Sequence, residues 1–99
     1  MSHYSIISLT PTSDAWIPEY LGAVGPLVAE HGGKYLVRTG SHSSREGDLP
    51  GALWVIIEWP GKESEAAFYA DPRYAGHLKA RLAGSTGGWV SVEGKDDFA

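Results

Sequence analysis

The sequence predicts an α+β protein of the ferredoxin-like kind, βαββαβ, with helices on one face of a four-stranded antiparallel sheet. Two observations carry this. Segments with strand-like and helix-like apolar spacing follow one another in the order strand, helix, strand, strand, helix, strand. The segment Ala52 to Trp59 is apolar on both faces: Leu53, Val55, Ile57 and Trp59 point one way, Ala52, Trp54 and Ile56 the other. A sheet with one wet face would alternate apolar with polar residues. The helical segments can cover only one face, so the other is expected to meet a second copy of the chain, making a homodimer.

The first strand is read from His3 to Thr10, where Tyr4, Ile6, Ile7 and Leu9 favour extended backbone and Pro11 ends the run. Ser13 is positioned to cap the first helix, with Asp14 in its first turn. Ile17, Tyr20, Leu21, Val24, Leu27, Val28 and His31 then follow helical spacing. Pro18 fits a first turn, whereas Pro26 removes a backbone bond and predicts a kink. Gly32-Gly33 close the helix and lead into a second strand, Lys34 to Thr39. Gly40 to Gly51 is a polar loop, long for a hairpin, and long ordered loops often carry function. The two-sided segment is the third strand, stopped by Pro60-Gly61. Glu63 to Ala70 form a short helix, and Asp71-Pro72 start another, with aspartate at the cap and proline at the first helical position. That helix continues through Tyr74, His77, Leu78, Arg81 and Leu82 to Gly84. The last strand is placed at Trp89 to Glu93, after the glycines at 84, 87 and 88, and the polar tail beyond Gly94 is expected to fray.

Ninety-nine residues suit one domain, its ordered core at about residues 4–94 and its tail at 95–99. At that size only about two-thirds of the unfolded surface is buried, so dimerisation would help stability. The net charge is −4, and the basic residues are scattered, which argues against nucleic acid. No apolar run is long enough to span a membrane, and the first residues do not read as a signal peptide. Cysteine is absent, removing disulfides, thiolate nucleophiles and thiolate metal sites together. A cytoplasmic protein is the expectation.

Several motifs, in this order and spacing, resemble a bacterial family, domain of unknown function 1330. They are His31-Gly-Gly-Lys-Tyr-Leu-Val-Arg38, Glu46-Gly47, Pro50, Val55-Ile-Ile-Glu-Trp-Pro60, Phe68-Tyr69, Pro72-Arg-Tyr74, Arg81 and Val90-Ser-Val-Glu-Gly94. The chain departs from the family pattern at Arg38-Thr39-Gly40, where Arg-Gly-Gly is usual, and at Trp59, where phenylalanine is usual. The resemblance implies a dimeric α+β barrel, two sheets packed face to face. Relatives of that fold include cofactor-free monooxygenases, isomerases and haem enzymes, but also binding and regulatory modules, so the fold licenses no reaction by itself.

Arg38 is the first candidate for a functional role, because a guanidinium between apolar strand neighbours is costly unless paired. It either forms an ion pair with an acid such as Glu46 or Glu58, or clamps a ligand carboxylate or enolate. Glu58 shares a strand face with Trp54 and Ile56, which would raise its pKa as a general base requires; a cross-strand salt bridge to Lys34 is the alternative. Glu46, in the long loop, either reaches back over a pocket or faces water; the resemblance implies a gating or ion-pair role. Tyr69 and Tyr74 could offer hydroxyls to a ligand oxygen or simply pack. Arg81 is expected to answer local carboxylates or Glu93 rather than touch a ligand.

His3, His31, His42 and His77 show no HxH or HxxxH spacing, so no metal is expected, and no cofactor. His42, in the loop, is the histidine free to shuttle a proton. The serines around it lack a strained nucleophile elbow, and the late glycines lack the lysine of a phosphate loop. These readings place one small pocket holding Arg38 with Tyr69 or Tyr74 between sheet and helices or at the dimer seam, and they leave three functions open. The first is a cofactor-free enzyme acting on a compact acid or enolisable carbonyl, with Glu58 or His42 moving the proton. The second is a non-catalytic module binding a small anion, and the third is a purely structural dimer.

Overall fold

The computed structural model describes residues 1–99. The elements are β1 (His3–Pro11), α1 (Ile17–Glu30), β2 (Lys34–Thr39), β3 (Leu53–Trp59), α2 (Lys62–Tyr69), α3 (Pro72–Ala83) and β4 (Ser85–Glu93). The sheet order is β2-β3-β1-β4, and every neighbouring pair is antiparallel, which is the expected ferredoxin-like α+β topology. No helix is long and apolar enough to cross a membrane.

Strand periodicity sorts the sheet into two faces. Ile7, Leu9, Ile57 and Trp59 turn toward the helices and form a core with Val24, Leu27 and Val28 of α1, Phe68 of α2 and Tyr74 of α3. On the other face the register sets Val37, Ile56, Ile6 and Val90 in one row across all four strands. No helix lies over that row, and Val90 is 58 % exposed. The two-sided reading of β3 is therefore correct.

Two local expectations change. Helix α1 starts at Ile17, not after Ser13, because the backbone N–H groups of Thr12 and Ser13 donate to the Gly84 carbonyl at 2.8 and 3.3 Å. Trp16 takes the cap position without a side-chain bond to the helix, and the helix continues through Pro26 to Glu30. Strand β4 starts at Ser85, four residues before the expected Trp89, so that it pairs along the whole of β1. Gly87 and Gly88, expected to precede the strand, lie inside it. Gly87 has φ +141°, and a Cβ there would lie 2.1 Å from the Ser8 carbonyl oxygen, so only glycine lets the strands approach.

At the start of α3 the Asp71 carboxylate accepts from the Arg73 backbone N–H at 2.9 Å, the expected cap. It also binds the Arg73 guanidinium and meets His31 Nε2 at 2.9 Å, while Arg73 reaches Glu30. This cluster ties the end of α1 to the start of α3. Arg73 and His31 hold the Asp71 carboxyl well below the usual carboxylate range.

Candidate functional site

A cavity of about 520 Å³ lies between α1 and the helix-side face of the sheet, a size typical of small-molecule sites. Its floor is Ile7, Leu9, Leu53, Val55 and Ile57; Ile17, Tyr20, Leu21, Val24 and Val28 of α1 form the roof. Trp16, Phe68 and Trp89 add aromatic walls. Trp16 is held by its indole N–H, which donates to the Gly84 carbonyl at 3.0 Å. Among the lining residues there is no aspartate, glutamate or histidine, and the only charged groups are Arg38 and Arg81.

Arg38 reaches this cavity because β2 is irregular. Tyr35 pairs with Ile57 and Arg38 with Val55, both core-facing, whereas Val37 pairs with Ile56 of the opposite face. The register shifts between Tyr35 and Val37, so Leu36 is an extra residue and the alternation reverses after it. In an unbroken strand Arg38 would share the outer face with Lys34. As built, its guanidinium stacks over the Tyr35 ring, 4.2 Å from the centroid, at the exposed rim of the cavity. It forms no ion pair with Glu46 or Glu58.

Arg81, on α3, is the more telling residue. It is only 6 % exposed and lies over Trp89, 5.7 Å from the ring centroid. No carboxylate pairs with it, and its buried Nε has no hydrogen-bond partner. The expected Glu93 partner binds Lys95 instead, at 3.2 Å. Burial works to discharge Arg81, but the neighbouring Tyr74 and Tyr20 oxygens work the other way and prevail, so it stays a cation. Those tyrosines are joined hydroxyl to hydroxyl at 2.8 Å. Tyr20 lines the cavity, while Tyr74 is fully buried behind it. Burial, with Tyr74 beside it, pushes the Tyr20 phenol far above its ordinary value, so its hydroxyl remains neutral.

The remaining candidates do not converge here. Glu58 lies on the opposite sheet face and accepts from the Tyr4 hydroxyl at 3.1 Å; it faces Lys34 in register but forms no ion pair with it. His42 belongs to the loop on that same side, its ring centroid 5.9 Å from that of Trp54 and its Nδ1 3.0 Å from the Gly40 carbonyl oxygen. Neither is among the residues that line the cavity holding the arginines. Glu46 is exposed in the loop, without an ion-pair partner. Tyr69 is 42 % exposed and lines a separate hollow with Glu65, Trp89 and Ser91. The expected pocket of Arg38 with Tyr69 or Tyr74 is thus corrected to Arg38 with Arg81 and Tyr20, Tyr74 standing one hydroxyl behind.

A polar cluster not foreseen from the sequence lies beside that hollow. The buried Glu65 carboxylate accepts from Ser5 and from Ser91 at 2.7 and 2.8 Å, from the Trp89 indole at 3.1 Å, and meets His3 Nε2 at 2.9 Å. Burial pushes its pKa up, but the Ser5, Ser91, Trp89 and His3 contacts outweigh it and leave the carboxyl below its ordinary value. With its oxygens satisfied, Glu65 fastens α2 to β1 and β4. No three His, Cys, Asp or Glu side chains converge so as to hold a metal ion.

Solved structures share this fold at low identity. The RPA0582 protein of unknown function from Rhodopseudomonas palustris aligns with a TM-score of 0.76 at 19% identity, over 96% of this chain and 82% of that one. SnoaB, a cofactor-independent oxygenase from Streptomyces nogalater, aligns with a TM-score of 0.58 at 14% identity, over 98% and 94% of the two chains. Protein Atu4242 from Agrobacterium tumefaciens gives 0.52 at 16% identity, over 100% and 97%. These likenesses establish the fold of the chain. No curated protein matches the sequence. The sequence pattern of one family, described as Domain of unknown function (DUF1330), matches residues 2–95. With nearly its whole length matched and the expected fold in place, the chain belongs to the DUF1330 family.

Proposed function

We propose that the protein binds an organic anion with an apolar body in the cavity under α1, and that Arg81 takes the anionic group. The observation that carries this is the buried Arg81 guanidinium without a carboxylate. An arginine removed from water without a counter-charge is costly, and a ligand carboxylate or enolate supplies that charge in bidentate form. The Tyr20 hydroxyl lies beside it as a second donor, and the aromatic walls suit an apolar body. Thermal shift against hydrophobic carboxylates and their amides tests the reading. The acids should stabilise wild-type protein, the amides should not, and Arg81→Met should remove the effect. Equal stabilisation by acid and amide would refute it.

Binding without turnover fits the lining better than proton-transfer catalysis, since the cavity offers neither carboxylate nor imidazole as a base. The fold shared with SnoaB keeps a cofactor-free oxygenation in view, for a substrate acidic enough to ionise beside Arg81. Oxygen uptake with enolisable aromatic ketones, lost in Arg81→Met, would favour that reading.

The working unit in this proposal is a homodimer closed over the row Val37, Ile56, Ile6 and Val90. This apolar face carries β-branched side chains with no cover from the chain itself. The buried Trp54 indole N–H on the same face lacks an acceptor. Glu58 and His42 would then lie at the subunit seam rather than in the ligand cavity.

A further inference from the structure

We infer that the preferred ligand is an elongated dianion, one charge held deep at Arg81 and the other at the rim by Arg38. The inference rests on the cavity reading above and adds the number and spacing of the ligand's charges.

Charge balance is the first argument. The chain carries twelve acidic residues against eight lysines and arginines, yet none of the acids lines this cavity while two arginines do. Arg73, on the surface at the start of α3, is by contrast bound by both Asp71 and Glu30. Arg38, at the exposed rim, is a second guanidinium answered by nothing acidic. One ligand charge would compensate only one of them.

Placement is the second argument. Arg38 stands on β2, and Arg81 lies over Trp89 of β4; these are the two edge strands of the sheet. Strands β3 and β1 run between them, so the two edge strands are separated by three strand spacings, about 14 Å. Both arginines line the cavity, and the floor between these strands is apolar. A monoanion leaves one of the two arginines unanswered, and a longer diacid spans more of the apolar floor between the edge strands. An acid group at each end of a chain or ring satisfies both cations and lays its apolar middle on Leu53, Val55 and Ile7.

Both guanidiniums are also held in place before any ligand arrives. Arg38 is stacked on Tyr35 at 4.2 Å and Arg81 on Trp89 at 5.7 Å, which reduces the ordering cost of two-point capture. The difference in exposure assigns their roles: Arg81 anchors, and Arg38 selects the second charge.

Isothermal titration with succinate, suberate, sebacate and the monomethyl esters of the two longer acids tests the inference. Suberate or sebacate should bind at least about tenfold more tightly than its monoester and more tightly than succinate. Arg38→Met should bring the diacid down to the affinity of the monoester without abolishing binding, and Arg38→Lys should restore part of the preference. Arg81→Met should abolish binding of both. If diacid and monoester bind wild-type protein equally, or succinate binds as well as sebacate, the elongated-dianion inference is overturned while the anion pocket stands. If none of these acids binds, and hydrophobic carboxylates also fail to shift the melting temperature, both readings fall.

Discussion

The guanidinium of Arg81 lies over the indole of Trp89 at 5.7 Å, in a cavity whose lining contains no carboxylate. A structural arginine is lost at a cost because its acidic partner is left buried and alone; Arg81 has no such partner. Replacing it with methionine, similar in reach and without charge, should leave the unliganded protein equally stable or up to about 2 kcal/mol more stable in urea. A loss above about 2 kcal/mol would show that the residue serves the fold.

The Tyr20–Tyr74 hydroxyl pair makes the opposite prediction. Tyr74→Phe leaves the Tyr20 hydroxyl without its buried partner and should cost about 1 kcal/mol. Adding Tyr20→Phe should recover part of that loss. The coupling measured by a double-mutant cycle in urea should be about 0.5–1.5 kcal/mol.

Glu65 governs part of the acid limb of stability. Its folded pKa is depressed, so the stability it contributes is complete above the unfolded carboxylate value of about 4.3 and is lost as pH falls through the lower folded value. Glu65→Gln should cost about 2 kcal/mol at neutral pH, since it removes charge-assisted bonds from Ser5, Ser91 and Trp89. The deficit should shrink below pH 4, giving a flatter denaturation profile than wild type. A mutant whose profile runs parallel to wild type would contradict this.

Ile56→Glu places a charge in the middle of the uncovered row without touching the ligand cavity. Sedimentation should find wild-type dimers and variant monomers at micromolar concentration, each subunit keeping its far-ultraviolet circular dichroism. Monomeric wild type would remove the proposed assembly and leave the anion pocket to be judged separately.

Local chemistry made much of the fold legible. Asp71-Pro72 announces a capped helix start, and the Asp71 bond to the Arg73 N–H is that cap. The beginning of α1 was less readable, because the competing partner of the Thr12 and Ser13 N–H groups is Gly84, distant in sequence. The glycines of β4 look like a linker by propensity and become strand only because β1 needs a neighbour along its length. Glu65 carried no signal, since its ring of donors is gathered from β1 and β4.

The sequence by itself determined the order of the elements and the two apolar faces of β3, because alternation and helical spacing are properties of neighbouring residues. It also identified Arg38 as an arginine in need of a partner. Only the tertiary structure decided which way Arg38 points, since one extra residue at Leu36 reverses the alternation and moves it from the face of Glu58 to the cavity. It likewise decided that Arg81 is buried and alone: pairing depends on which distant side chains packing brings together, and that is set by the closing of the whole chain.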